Sequence, residues 1–153
     1  MSPEFNFEIV PLTEIEQKGL VADHDDHEDR PIVLVVDDEE IILDTRAAIF
    51  ACWGYTAMKA LSAEAAIAIA KLVPPDLLVS DIILSGKNGA ELAIEMKALV
   101  PNCKVVLLAS LGAEAQILAE AKAAGYDLNV IAKPVDPAKL RAHLSALELR
   151  PAV

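Results

Sequence analysis

Two adjacent aspartates, Asp37 and Asp38, close a five-residue apolar run, Ile32–Val36. A third, Asp81, stands with Ser80 directly after a second run, Leu77–Val79. A hydroxyl, Ser110, follows the run 105–109, and a Lys133-Pro134 pair follows the run 128–132. Close carboxylates repel, and at neutral pH they need a cation. Hard oxygen ligands that leave positions for water suit Mg²⁺. Lys133 adds a point charge able to pair with an acid or a phosphoryl oxygen. Ser110 can donate a hydrogen bond to the same oxygen. The set describes a phosphoryl-transfer site with a carboxylate nucleophile. Taken singly, the acids could start a helix and the Lys-Pro pair could be a turn. Their recurrence at the ends of successive apolar runs carries the reading.

These runs must be positioned by a sheet. They are short, continuous and rich in β-branched residues, the pattern of parallel strands buried on both faces. Thr56–Ala60 carries Lys59 and suits an edge strand. Helical stretches lie between the runs. Residues 40–53 end at Gly54, and residues 63–73 are capped by Ser62 and stopped by Pro74-Pro75. Gly89–Leu99 ends before Pro101, and residues 113–124 end at Gly125, a C′ glycine. A last helix has Asp136 as its cap and Pro137 at its first position, with Leu140, Leu144 and Leu147 on one face. Five βα units in series predict an α/β, doubly wound parallel sheet with its ligand site at the carboxyl ends of the strands.

Composition bounds the partners. The 153 residues carry a net charge of −11 and are 54% hydrophobic, which excludes wholesale disorder. Residues 1–30 hold nine acids against Lys18 and Arg30, and read as an acidic, flexible leader. Residues 31–150 form the domain. The charge lacks a basic stripe, so no direct nucleic-acid binding and no binding to an anionic membrane surface are expected. No apolar run approaches the ~18 residues of a membrane span, and no signal pattern opens the chain, so a cytoplasmic protein is expected. Cys52 and Cys103 suggest no disulfide framework. The His24–Asp29 run reads as a hydrated charge run rather than a metal site.

The stretches VLVVDDE (Val33–Glu39) and DLLVSD (Asp76–Asp81), with Ser110 and Lys133-Pro134, resemble the receiver domain of two-component response regulators. The resemblance covers about residues 31–150. It implies a five-stranded (βα)5 sheet of flavodoxin-like strand order 2-1-3-4-5. It implies a phosphorylatable signalling switch that is not itself an enzyme, with Asp81 as phosphoacceptor. Asp37, Asp38, Asp81 and the backbone carbonyl of Ile83 would hold Mg²⁺. Ser110 takes the place of the switch hydroxyl, and Lys133 pairs with Asp81 before transfer and with the phosphoryl group after it. The implied partners are a sensor histidine kinase or histidine phosphotransfer protein and an unspecified downstream protein; a homodimer is left open. The sequence departs from the family pattern at Ser85, usually proline, at Leu111, usually a small residue, and at Val130, usually aromatic. Two alternatives stand beside this reading: a pseudo-receiver acting as a protein-binding module, and a small Mg²⁺-dependent phosphohydrolase.

Overall fold

The computed structural model describes residues 30–110, 112 and 114–147. The expected leader, apart from Arg30, therefore lies outside the described residues, as does Leu111. Five strands and five helices alternate along the described chain: β1 (Ile32–Val36), α1 (Glu40–Cys52), β2 (Thr56–Ala60), α2 (Ala63–Leu72), β3 (Leu77–Asp81), α3 (Gly89–Leu99), β4 (Lys104–Ala109), α4 (Glu114–Ala123), β5 (Val130–Ala132) and α5 (Pro137–Ala146). The strands form one parallel sheet in the order β2-β1-β3-β4-β5. This is the expected doubly wound order.

Successive side chains of a strand point to opposite faces, so each central strand feeds two cores. On one face Leu34, Val36, Leu78 and Leu107 pack with Ala66, Ile67, Leu92 and Met96 of α2 and α3. On the other, Val33, Val35, Leu77, Val79 and Val106 pack with Leu43 and Phe50 of α1 and with Leu140 and Leu144 of α5. All five residues of β3 are buried, which explains the unbroken apolar run that precedes Asp81. β2 is an edge strand, as its lysine suggests. β5 departs from expectation. The apolar run 128–132 reads as a buried strand, yet only Val130–Ala132 pair, at the opposite edge, with Val130 and Ile131 half-buried and Ala132 exposed.

Local signals set the helix starts. Ser62 accepts from the Ala65 N–H at 3.0 Å, and Asp136 accepts from the Ala138 N–H at 3.0 Å. Asn88 and Glu91 form a capping box at the start of α3. Helix α4 ends at Gly125, whose φ of 99° lets the Tyr126 N–H return to the Ala121 carbonyl. Trp53 and Tyr55 pack edge-on against Phe50, each with ring centroids 5.4 Å apart. Cys103 is buried in the core, where burial pushes its thiol up to about 11; Cys52 is exposed. Among the described residues no helix is long and apolar enough to cross a membrane.

Candidate functional site

The parallel sheet sends the carboxyl ends of all its strands to one rim. β1 delivers Asp37 there, anchored by its N–H on the Ala60 carbonyl of β2 at 3.2 Å. Its side chain turns back to accept from the Glu39 N–H at 2.8 Å, an Asx turn that leads the chain into α1. β3 ends on Asp81, next to β1 in the sheet, and both aspartates are buried. Directly after β5, and before a cis peptide bond to Pro134, Lys133 Nζ lies 3.0 Å from Asp81 Oδ2. Asp38 is exposed, and its Oδ2 accepts from Ser85 Oγ at 3.2 Å. Ser85, where a proline is the family's usual residue, thus makes a polar contact that a proline could not.

Two glycine and serine contacts fix the height of Asp81. Ser80 Oγ donates to the Asp81 carbonyl at 2.8 Å, and the Gly89 N–H donates to the Ile82 carbonyl at 2.7 Å. Helix α3 consequently begins against the backbone of Asp81. A Cβ on Gly89 would lie 2.1 Å from the Asp81 carbonyl oxygen. Ile83 lies in the loop just beyond, with its side chain 53% exposed.

Ser110 ends β4 on the same rim. Its N–H donates to Glu114 Oε2 at 2.9 Å, so the buried Glu114 ties the first turn of α4 to the end of the strand. The Ser110 hydroxyl takes no part in the bonds that join Asp37, Asp81 and Lys133. Val130 lines a small cavity of about 110 Å³ together with Ser110, Gly112, Glu114 and Leu118.

The structure adds a residue that sequence reasoning missed. Arg46 Nη1 lies 2.8 Å from Asp37 Oδ2 and 3.1 Å from Asp81 Oδ1, bridging the two acids. The signal was present: Arg46 stands three residues after Leu43 and four before Phe50, on the helix face that carries the buried residues of α1. A charged residue there needs a buried partner. Helical side chains lean toward the helix N-terminus, which sends this guanidinium back toward Asp37.

The site is electrostatically strained around Asp37. Burial raises its carboxyl from the ordinary 3.8 to about 6, and hydrogen bonding to Asp81 pushes the same way. The Glu39 N–H and the Arg46 charge pull it back only in part. Asp37, Asp38 and Asp81 offer the hard oxygen donors that suit Mg²⁺, and buried Asp37 lacks full compensation for its charge. The donor chemistry therefore fits the metal. The side chains are not gathered as a cage, however: among the described residues no three acid, histidine or cysteine side chains are clustered at metal-binding spacing. Arg46 stands between two of the acids, and Asp38 faces Ser85.

Comparison with known proteins bears on this rim. The family description "Response regulator receiver domain" matches residues 33–145. The chain is 28% identical over 109 residues to the chemotaxis protein CheY of Thermotoga maritima, covering 71% of this chain and 89% of the relative. It is 30% identical over 109 residues to sporulation initiation phosphotransferase F of Bacillus subtilis, covering 71% and 86%. It is 32% identical to the photosynthetic apparatus regulatory protein RegA of Cereibacter sphaeroides, covering 68% of this chain and only 55% of that relative. Among solved structures, a CheY-like receiver domain protein from Methanospirillum hungatei matches with a TM-score of 0.68 at 27% identity, covering 77% of this chain and 93% of that one. The receiver domain of NtrX from Brucella abortus matches with a TM-score of 0.64 at 30% identity, covering 76% and 97%.

Proposed function

Because the chain belongs to the response regulator receiver domain family of two-component signalling, we propose that it accepts a phosphoryl group on Asp81 and thereby switches a partner protein. The observation that supports this most is the pairing of a buried strand-end carboxylate, Asp81, with Lys133 Nζ at 3.0 Å. An ionised carboxylate is the nucleophile that acyl-phosphate chemistry needs. Its backbone is fixed by β3, by Ser80 and by the close approach of Gly89, so its oxygens are held for attack.

In the proposed reaction an Asp81 oxygen forms a bond to phosphorus as the bond from phosphorus to the donor breaks. The donor is a phosphohistidine of a sensor histidine kinase or a histidine phosphotransfer protein. Its imidazole leaves with the electron pair and takes up a proton. Lys133 then neutralises a phosphoryl oxygen instead of the carboxylate. Ser110, at the end of β4, supplies a hydroxyl donor to another of these oxygens. Asp37, Asp38, Asp81 and the backbone carbonyl of Ile83 would hold Mg²⁺, which when bound would offset the charge gathering on the phosphoryl oxygens. Val130 has no ring to rotate, so we place the output change in the loop after Ser110 and in α4. Residues 1–30 would form a separate acidic leader to this domain.

The test is intact mass after incubation with acetyl phosphate and Mg²⁺. Wild type should gain one phosphoryl group, about 80 Da, and Asp81→Asn should gain none. Equal labelling of the two proteins would refute Asp81 as the acceptor.

A further inference from the structure

Arg46 reaches the acidic rim from outside the set of residues so far given a role in phosphoryl transfer. Its Nη1 donates to Asp37 Oδ2 at 2.8 Å and to Asp81 Oδ1 at 3.1 Å. Lys133 holds the other oxygen of Asp81 at 3.0 Å. Both oxygens of the proposed phosphoacceptor are therefore engaged by cations of the protein itself. Arginine keeps its charge under all ordinary conditions, so this counter-ion cannot be titrated away. Asp37 and Asp81 are thus both paired with cations of the protein, while the exposed Asp38 turns to Ser85.

The position is built rather than incidental. The Arg46 side chain is 18% exposed, against 1% for Asp37 and 10% for Asp81, so the pairs are shielded from water. The residue also lines an apolar groove between α1 and the start of α5, with Ile42, Ile49, Phe50 and Leu140. That groove gives the methylene stem a place to lie. It also gives the guanidinium an open side toward which it can swing without disturbing the core.

From this geometry we propose that Arg46 is a resident cation that competes with Mg²⁺ for Asp37 and Asp81. Metal entry requires the guanidinium to leave the acids, and Arg46 thereby sets the Mg²⁺ concentration at which the switch can be charged. The proposal deepens the phosphoacceptor reading and rests on it for the identity of the metal. A unit charge about 4 Å away opposes even a monovalent cation by roughly a factor of five with water-like screening, and it opposes a divalent ion, or an ion in a site that excludes water, by more. Removing the guanidinium should therefore tighten Mg²⁺ binding at least about fivefold.

Calorimetric titration with MgCl2 of wild type, Arg46→Leu and Arg46→Lys reads this directly. Arg46→Leu should bind at least fivefold more tightly than wild type, and phosphorylation by acetyl phosphate should saturate at correspondingly lower Mg²⁺. A second measurement uses the wild-type protein and so survives any folding defect in the variants. The Nε–H signal of Arg46 in a ¹⁵N NMR spectrum, assigned by its loss in Arg46→Lys, should shift with the same Mg²⁺ midpoint as the backbone amides beside Asp81. Folded Arg46→Leu with wild-type or weaker affinity overturns the proposal. So does an Arg46 signal that stays fixed while those amides respond, and so does the absence of Mg²⁺ binding by every protein. Failure of the phosphoacceptor reading looks different: Mg²⁺ binds and competes as described, but no protein gains a phosphoryl group at any metal concentration.

Discussion

Replacing Gly89 by alanine should damage both stability and acceptor geometry, although alanine favours helix. The added Cβ would lie 2.1 Å from the Asp81 carbonyl oxygen, 2.9 Å from its carbonyl carbon and 2.9 Å from Ile82 Cα. All three are backbone atoms, so no flexible side-chain end can turn aside. To relieve the contact, either β3 or α3 must move by about 1 Å, the shortfall from an ordinary van der Waals approach. β3 is the central strand, in register with β1 and β4, and the Ile82 N–H is bonded to the Leu108 carbonyl at 3.2 Å. The start of α3 is pinned by the Gly89 bond to Ile82 at 2.7 Å and by the Asn88–Glu91 capping box. Overpacking costs ~1–3 kcal/mol, and an unyielding backbone places this case at the upper end. A strained cap or lost hydrogen bond adds ~1 kcal/mol, while better helix propensity returns at most ~1 kcal/mol. The net expectation is a loss of about 3 kcal/mol, or roughly 10 °C in Tm for a domain of this size. Because Asp81 is the backbone displaced, the rate of phosphorylation should fall as well, by about 100-fold for an ångström of misplacement. Urea denaturation and time-resolved intact mass read the two effects. Gly112→Ala is the control: its Cβ would meet nothing within 4 Å, so only its φ of 114° opposes the change, at ~1–2 kcal/mol. A Gly89→Ala protein with wild-type midpoint and wild-type rate would refute the steric argument.

Three further outcomes are expected. The Asp37 carboxyl stands at about 6 in the fold against 3.8 ordinarily, so the folded state holds the proton more tightly than the unfolded chain. Without metal, this group should make stability fall by about 2 kcal/mol as pH rises from 4 to 6, and Asp37→Asn should remove that part of the slope in urea titrations; an unchanged slope would contradict it. Asp38→Ala relieves repulsion at the exposed edge and loses a metal oxygen, so it should raise metal-free Tm slightly and abolish the Mg²⁺-induced rise, with equal Mg²⁺ shifts in both proteins as the contrary result. In the proposed phosphorylated form the residues two beyond Asp81 and two beyond Ser110, Ile83 and Gly112, offer no side-chain group to orient an attacking water, so that form should decay slowly. Ile83→Asn with Gly112→Glu should hasten decay, and fast wild-type decay unchanged by the pair would oppose this.

The strands that lead to Asp37, Asp81 and Ser110 were legible because β1, β3 and β4 are covered on both faces, and such burial writes continuous apolar runs. β5 is shorter and less buried than its apolar run suggests because it lies at the sheet edge: Val130 and Ile131 pack on the two opposite cores, but hydrogen bonding reaches the strand from one side alone, with the Asn129 carbonyl adding a single bond from the Leu107 N–H. Asp37, Asp81 and Lys133 were placed together by a simple rule: parallel strands end on one rim. Side-chain direction was not legible from that rule. It does not say that Asp38 turns to Ser85, that Ser110 engages Glu114 through its backbone, or that Arg46 reaches down from α1. Those contacts depend on helix phase and rotamer, which a run of residue types leaves open. Arg46 was nonetheless detectable as a charge on the buried stripe of an amphipathic helix.

The central claim is that Asp81, held against Lys133, is where the phosphoryl group is carried. An acyl phosphate is reduced by borohydride to an alcohol, which a free carboxylate resists, so reduction marks the residue that was charged. After treatment with acetyl phosphate and Mg²⁺, borohydride reduction and peptide mapping should find homoserine in place of the residue at position 81, and at no other acid. Homoserine at position 37 or 38, or a phosphoryl group on another residue that leaves the Asp81 peptide unreduced, would contradict the account.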